Sequence, residues 1–189
     1  MSKSALLVMD VQNSIVSNMG NGAKKYIEKV KKAIDAARQA NIPVMFIVVR
    51  FRKGYPEMRP NNKMFAAIRE RFAAIPMDET NSSTKPVIEP KENDLVIAKK
   101  RVSAFAGSDL EMILNAQAID HLVLCGISTS GVVLSTLRYA ADKDYVLTVL
   151  SDCCSDQDEE VHRVLTEKVF PRQAEVLTGE EWIKKVAKS

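Results

Sequence analysis

Three short blocks of the chain hold side chains able to move protons or stabilise negative charge. Asp10 ends the apolar run Ala5 to Met9. A carboxylate at the end of a buried run is partly desolvated, which raises its pKa and suits it to general acid or base work; the same placement also suits an Asp that only caps a turn. Gln12 and Asn13 follow as neutral hydrogen-bonding groups that either orient a substrate or hold loop backbone. Lys99, Lys100 and Arg101 follow a second apolar run. One of the two lysines, aimed inward, would pair with Asp10 and hold it ionised or stabilise developing negative charge. A solvated basic cluster is the plainer alternative. The third block is Gly126-Ile127-Ser128-Thr129-Ser130-Gly131. Small residues at a strand-to-helix junction let successive backbone N–H groups converge, which makes an anion or oxyanion site aided by the helix dipole.

Other chemistries lose their support. The two histidines, His121 and His162, lie forty-one residues apart, and neither has a second His four residues on. That excludes a zinc helix of the HExxH kind. His121 begins a strand and His162 lies on a charged helix, so both are expected at the surface. Cys125, Cys153 and Cys154 show no CxxC spacing, so no structural metal is expected, and buried free Cys acts as a small hydrophobe. No GxGxxG or GxxxxGK[ST] occurs, and no cofactor is expected. The 126–131 turn is not a nucleophile elbow, because Ser128 has Gly126 before it but Ser130 after it. With no suitable His, a Ser-His-Asp triad is not expected.

Lys plus Arg number 27 and Asp plus Glu 24, a net charge of +3. That is too small to argue for a nucleic-acid or membrane partner. The longest mainly apolar run, Ile42 to Val49, contains Pro43 and is too short to span a bilayer. The Ala5 to Met9 run is too short for a signal peptide, so a cytoplasmic location is expected.

These groups need elements to position them. At 189 residues the chain is expected to form one domain, 1–189. Short β-branched runs alternate with amphipathic stretches. Strands are expected at 4–9, 44–49, 94–98, 121–125, 145–150 and 174–177. Helices are expected at 23–41, 63–74, from a Ser108–Glu111 capping box onward, from the 126–131 turn to about 143, at 158–170, and from Gly179. The segments 51–62 and 76–90 read as long loops, which inside a compact domain are often functional. Strands separated by helices give a parallel α/β sheet with helices on both faces. Its ligands bind beyond the carboxyl ends of the strands. That edge holds Asp10, Arg50, Arg52, Lys99, the 126–131 turn, and Ser151 to Cys154.

Taken in order, these blocks resemble the isochorismatase-like hydrolases, the cysteine hydrolase family. Ala5-Leu6-Leu7-Val8-Met9-Asp10-Val11-Gln12-Asn13 looks like its opening strand with the catalytic Asp. Asp94-Leu95-Val96-Ile97-Ala98-Lys99 followed by Ser103-Ala104-Phe105 looks like the segment of its catalytic Lys, and the spacing selects Lys99 over Lys100. Leu122 through Thr129 looks like its strand and oxyanion turn. The resemblance implies a three-layer α/β/α sandwich with a six-stranded parallel sheet of order 3-2-1-4-5-6, a cis Ile127–Ser128 peptide, and a homodimer or larger homo-oligomer acting on a small molecule. The family's nucleophilic Cys falls six residues after the turn glycine, where this chain has Val132. Valine cannot attack a carbonyl. The resemblance therefore implies a hydrolase in which Asp10 is the general acid/base and Lys99 its electrostatic partner. The backbone N–H groups of Ser128 and Val132 would bind an anionic oxygen, and Gln12, Arg50, Arg52 and Phe105 are candidates for substrate binding. Metal-binding members carry Asp and His after the second strand, where Arg50-Phe51-Arg52-Lys53 stands here, so no metal is implied. A non-catalytic binding homologue, or an amidase using Cys153 or Cys154, are the alternatives.

Overall fold

The computed structural model describes residues 3–188. In chain order the elements are β1 (Ser4–Met9), α1 (Asn13–Val16), α2 (Ala23–Gln39), β2 (Val44–Val49), α3 (Lys63–Arg71), β3 (Leu95–Lys99), α4 (Leu110–Ala116), β4 (His121–Ile127), α5 (Leu134–Ala141), β5 (Val146–Ser155), α6 (Glu159–Val164), β6 (Glu175–Leu177) and α7 (Gly179–Val186). All strand pairs are parallel, in the order β3-β2-β1-β4-β5-β6. The sheet class and strand order are those expected.

Strand alternation explains the two cores. Along β1, Ala5, Leu7 and Met9 pack with Leu122 and Leu124 of β4 against a cluster holding Leu110, Leu114 and Leu137 of α4 and α5. Leu6 and Val8, pointing the other way, pack with Val123 and Cys125 against Val30, Ile34 and Ala37 of α2 and Trp182 of α7. Both faces of the sheet are covered, so its strands are apolar on both sides, as parallel strands must be. A third, smaller cluster of Phe51, Tyr55, Met58, Phe65 and Met77 holds the long loop after β2 and α3 in place.

Several boundaries differ from those expected. The Ser108–Glu111 capping box does not form. Ser108 Oγ donates to Ala104 O at 2.6 Å and accepts from Leu110 N–H at 3.4 Å, while the N-cap of α4 is Asp109, whose side chain makes no cap. The Ser108 hydroxyl closes the preceding turn instead. β5 runs on to Ser155, five residues beyond the apolar run, because Gly126 and Ile127 of β4 pair with Cys154 and Ser155 past an irregularity in the ladder. The expected helix 158–170 is α6 followed by π-helical residues Leu165–Val169 and a 3-10 turn Phe170–Arg172. α1 and the 3-10 segment Ser17–Gly22 were not expected. His121 is not at the surface. It is half-buried, 2.9 Å from both Ser4 Oγ and Thr148 Oγ1, and burial pushes its pKa down.

Candidate active site

Asp10 follows β1 with its N–H donating to Ile47 O at 2.9 Å and a φ of 57°. That left-handed conformation is one Asp tolerates better than most residues. The side chain is buried, with the residue 6% exposed. Its Oδ2 lies 3.0 Å from Lys99 Nζ. Its Oδ1 is buried and has no hydrogen-bond partner among the described residues.

Lys99 reaches Asp10 from β3, two strands away. At ~4.8 Å per strand spacing this is a crossing of roughly 10 Å, within the reach of a lysine laid over the end of β2. Its ammonium also donates to Arg101 O at 2.9 Å and Val102 O at 3.1 Å. An ammonium has three N–H groups, and these three acceptors occupy them. Lys99 is therefore a fixed charge, and the open valence of the pair is Asp10 Oδ1. Burial pushes the Asp10 carboxyl up to about 6, against the opposing pull of Lys99's charge and hydrogen bond.

The turn stands beside this pair because Met9 is in register with Gly126. Gly126 has φ 150°, and a Cβ there would overlap the Met9 carbonyl oxygen. Only glycine lets the carboxyl ends of β1 and β4 come this close. The next peptide, Ile127–Ser128, is cis. Thr129–Val133 then forms a π-helical turn leading into α5. Val132 thus lies in that wider turn and not at the start of the α-helix. It is 2% exposed and belongs to the apolar cluster that also holds Ala104, Phe105 and Leu137.

The turn is tied down from the β5–α6 side. Ser130 N–H donates to Asp156 Oδ2 at 2.7 Å, and Thr129 Oγ1 is 2.8 Å from His162 Nδ1. His162, expected at the surface, is half-buried, and burial lowers its pKa. Both anchors are far along the chain from the residues they hold. Nothing local in the sequence marks them.

The other expected site residues separate into distinct environments. Gln12 is 1% exposed and its amide is occupied by backbone: Oε1 accepts from Val49 N–H at 2.7 Å, and Nε2 donates to Thr84 O at 2.7 Å and Val49 O at 3.2 Å. Of its two expected roles it takes the second, stitching β2 to the 76–90 loop. Phe105 stacks on Tyr139 with ring centroids 4.7 Å apart and lies in the core. Arg52 is exposed and pairs with Glu57 at 2.7 Å. Arg50 has a buried Nε without a partner. Cys153 lies on the α2–α7 side and Cys154 on the α4–α5 side. Burial pushes the Cys154 thiol up to about 12 and raises that of Cys153 strongly, with Asp152 adding to the effect on Cys153. Among the described residues no three His, Cys, Asp or Glu side chains come together as a metal-binding group, and no helix is long and apolar enough to cross a membrane.

Residues 4–181 match the isochorismatase domain model. The isochorismatase family protein YwoC of Bacillus subtilis is 30% identical over 184 residues, covering 97% of this chain and 94% of its own. The ureidoacrylate amidohydrolase RutB of Yersinia enterocolitica is 31% identical over 171 residues, covering 80% of this chain and 74% of its own. The solved structure of a cysteine hydrolase from Pseudomonas syringae shares the fold, with a TM-score of 0.88 at 19% identity over 98% of this chain and 93% of that one. A sequence match that runs from the first strand into the last helix, on a sheet of this order, makes the chain a member of the isochorismatase-like hydrolase family.

Proposed function

We propose that this chain hydrolyses a small polar metabolite by acid–base chemistry at Asp10, supported by Lys99, with no thiol nucleophile. One observation carries the reading: Asp10 presents a buried, unpartnered Oδ1 while its Oδ2 is pinned by a lysine with no free N–H. A buried acceptor without a partner costs ~1–3 kcal/mol and is retained where a ligand or reaction uses it.

On an amide or ester, Oδ1 takes a proton from water as the water oxygen adds to the carbonyl carbon. The carbonyl π pair moves onto its oxygen, which accepts hydrogen bonds donated by the backbone N–H groups of Ser128 and Val132. Collapse breaks the C–N or C–O bond, and Asp10 returns the proton to the leaving group. On an enol ether the order reverses. Protonated Asp10 gives its proton to carbon, water adds to the resulting cation, and the carboxylate takes a proton from the added water. The hemiketal then collapses to a carbonyl as its C–O bond breaks and Asp10 returns that proton to the departing alcohol oxygen, while the hemiketal hydroxyl loses its proton to solvent. The similarity to ureidoacrylate amidohydrolases supports placing amides first among the substrates to test. Thiol chemistry at Cys153 or Cys154 is disfavoured because burial keeps both protonated near neutral pH.

The test is a panel of amides, esters and enol ethers assayed on the wild type, on Asp10→Asn and after iodoacetamide. Turnover should survive alkylation and fall by ~100-fold or more in Asp10→Asn, the usual size of an acid–base contribution. Loss of activity on alkylation, mapped to Cys153 or Cys154, would replace this reading with the thiol one. No turnover across the panel would favour a binding protein.

A further inference from the structure

A second concentration of charge lies at the β2–β3 edge, in a cleft lined by neither Asp10 nor Lys99 nor the 126–131 turn. Arg50, Arg52, Lys53 and Lys100 line a cleft of about 410 Å3 together with Asp78 and Glu79. Ala98 and Lys100 border it, and Lys99 between them does not. Side chains alternate along a strand, so the cleft sits on the face of β3 opposite the Lys99–Asp10 pair.

The charges in this cleft do not cancel. Arg52 is paired with Glu57. Asp78 is engaged by its own turn, with Oδ1 accepting from Thr80 N–H at 3.0 Å and Thr80 Oγ1 at 2.5 Å. Arg50 Nε is buried and donates to nothing among the described residues. Lys100 is half-buried and makes no ion pair among them. Burial pushes its pKa down and the neighbouring Arg52 and Arg50 add to this, against the pull of Glu57 and Glu79. A buried guanidinium N–H without an acceptor, beside a second unpaired cation, is an arrangement that an incoming anion would satisfy.

We propose that this cleft is an oxyanion-binding site, separate from Asp10, in which Arg50 and Lys100 hold the phosphate or carboxylate group of a small ligand. The guanidinium supplies planar, directional donors and the ammonium a point charge. Asp78, whose carboxyl feels the charge of Arg50, and Glu79 also line the cleft and repel bare negative charge. They favour a ligand that carries hydroxyl or ammonium donors besides its oxyanion.

The side-chain Nε–Hε resonances of the arginines report the site directly. They are followed by 15N–1H NMR while inorganic phosphate, and separately malonate, is added at constant ionic strength. The Arg50 resonance, assigned by its absence in Arg50→Gln, should shift saturably with at least one anion, and the anion that acts shows which group the site prefers. Lys100→Gln, its fold checked by the backbone amide spectrum, should weaken that binding by about tenfold, the loss of one charge-assisted hydrogen bond. Asp10→Asn should leave it unchanged. No saturable shift with either anion, or equal binding in Lys100→Gln, would overturn the site. Loss of binding in Asp10→Asn would overturn its separateness. None of these readouts depends on turnover.

Discussion

At the residue scale the site reduces to one carboxylate with one oxygen held and one oxygen free. The sign of its pH dependence follows from its burial. The folded Asp10 keeps its proton up to about 6, against an ordinary value of 3.8. Between those values the folded state binds more protons than the unfolded one, so this group favours folding below the window and the contribution is lost as pH rises through it. The same inflection sorts the chemistry. The chemical step of amide or ester hydrolysis, which begins from the carboxylate, should speed up as pH rises through about 6, and that of enol-ether hydrolysis, which begins from the acid, should slow. Lys99→Ala removes the opposing charge and should raise the Asp10 pKa by about 1–3 pH units, read by 13C NMR of the carboxyl. It should also cost ~3–5 kcal/mol in urea denaturation at pH above that raised value, where a buried carboxylate stands unpaired. An unchanged carboxyl titration would remove Lys99 from the mechanism. Asp10 and Lys99 were both legible in the sequence, Asp10 from its place after an apolar run and Lys99 from spacing matched to a family. Gln12 and Phe105 were not, because a side chain's type does not say whether backbone or core has already claimed it.

At the scale of elements, what the sequence made legible were the strands whose apolar runs are unbroken. β1, β2 and the start of β4 fall where expected because each is buried on both faces. The apolar run that predicts β5 ends at Leu150, where Ser151 and Asp152 interrupt it. Asp152 is instead directed outward, accepting from Gly179 N–H at 2.6 Å and pairing with Lys29 at 3.1 Å, while the ladder continues beneath it. The π-helical turn at Thr129–Val133 was illegible because its shape comes from outside, from Asp156 and His162. Gly126 is the element-scale position most open to test. Gly126→Ala places a methyl group against the Met9 carbonyl and should destabilise the protein by about 3 kcal/mol, measured by chemical denaturation. Asp10 should titrate abnormally in the surviving folded fraction, since the same contact sets its position. A loss below ~1 kcal/mol would mean the strand ends can separate without penalty.

At the scale of the whole molecule, the burial of Asp10, Lys99 and Val132 has a kinetic meaning. They are 6%, 1% and 2% exposed. If Asp10 acts as proposed, a metabolite reaches its buried Oδ1 only when the protein parts, so each encounter waits for an opening and each product waits again. Turnover would then be timed by a gate working against the friction of the solvent rather than by proton transfer. Raising the viscosity with sucrose should slow kcat in proportion, while replacing water with heavy water should slow it little. The opposite pattern, indifference to viscosity and a large solvent isotope effect, would place the slow step back at the carboxylate. Substrates differing widely in intrinsic reactivity should, under the gated regime, be consumed at nearly the same maximal rate.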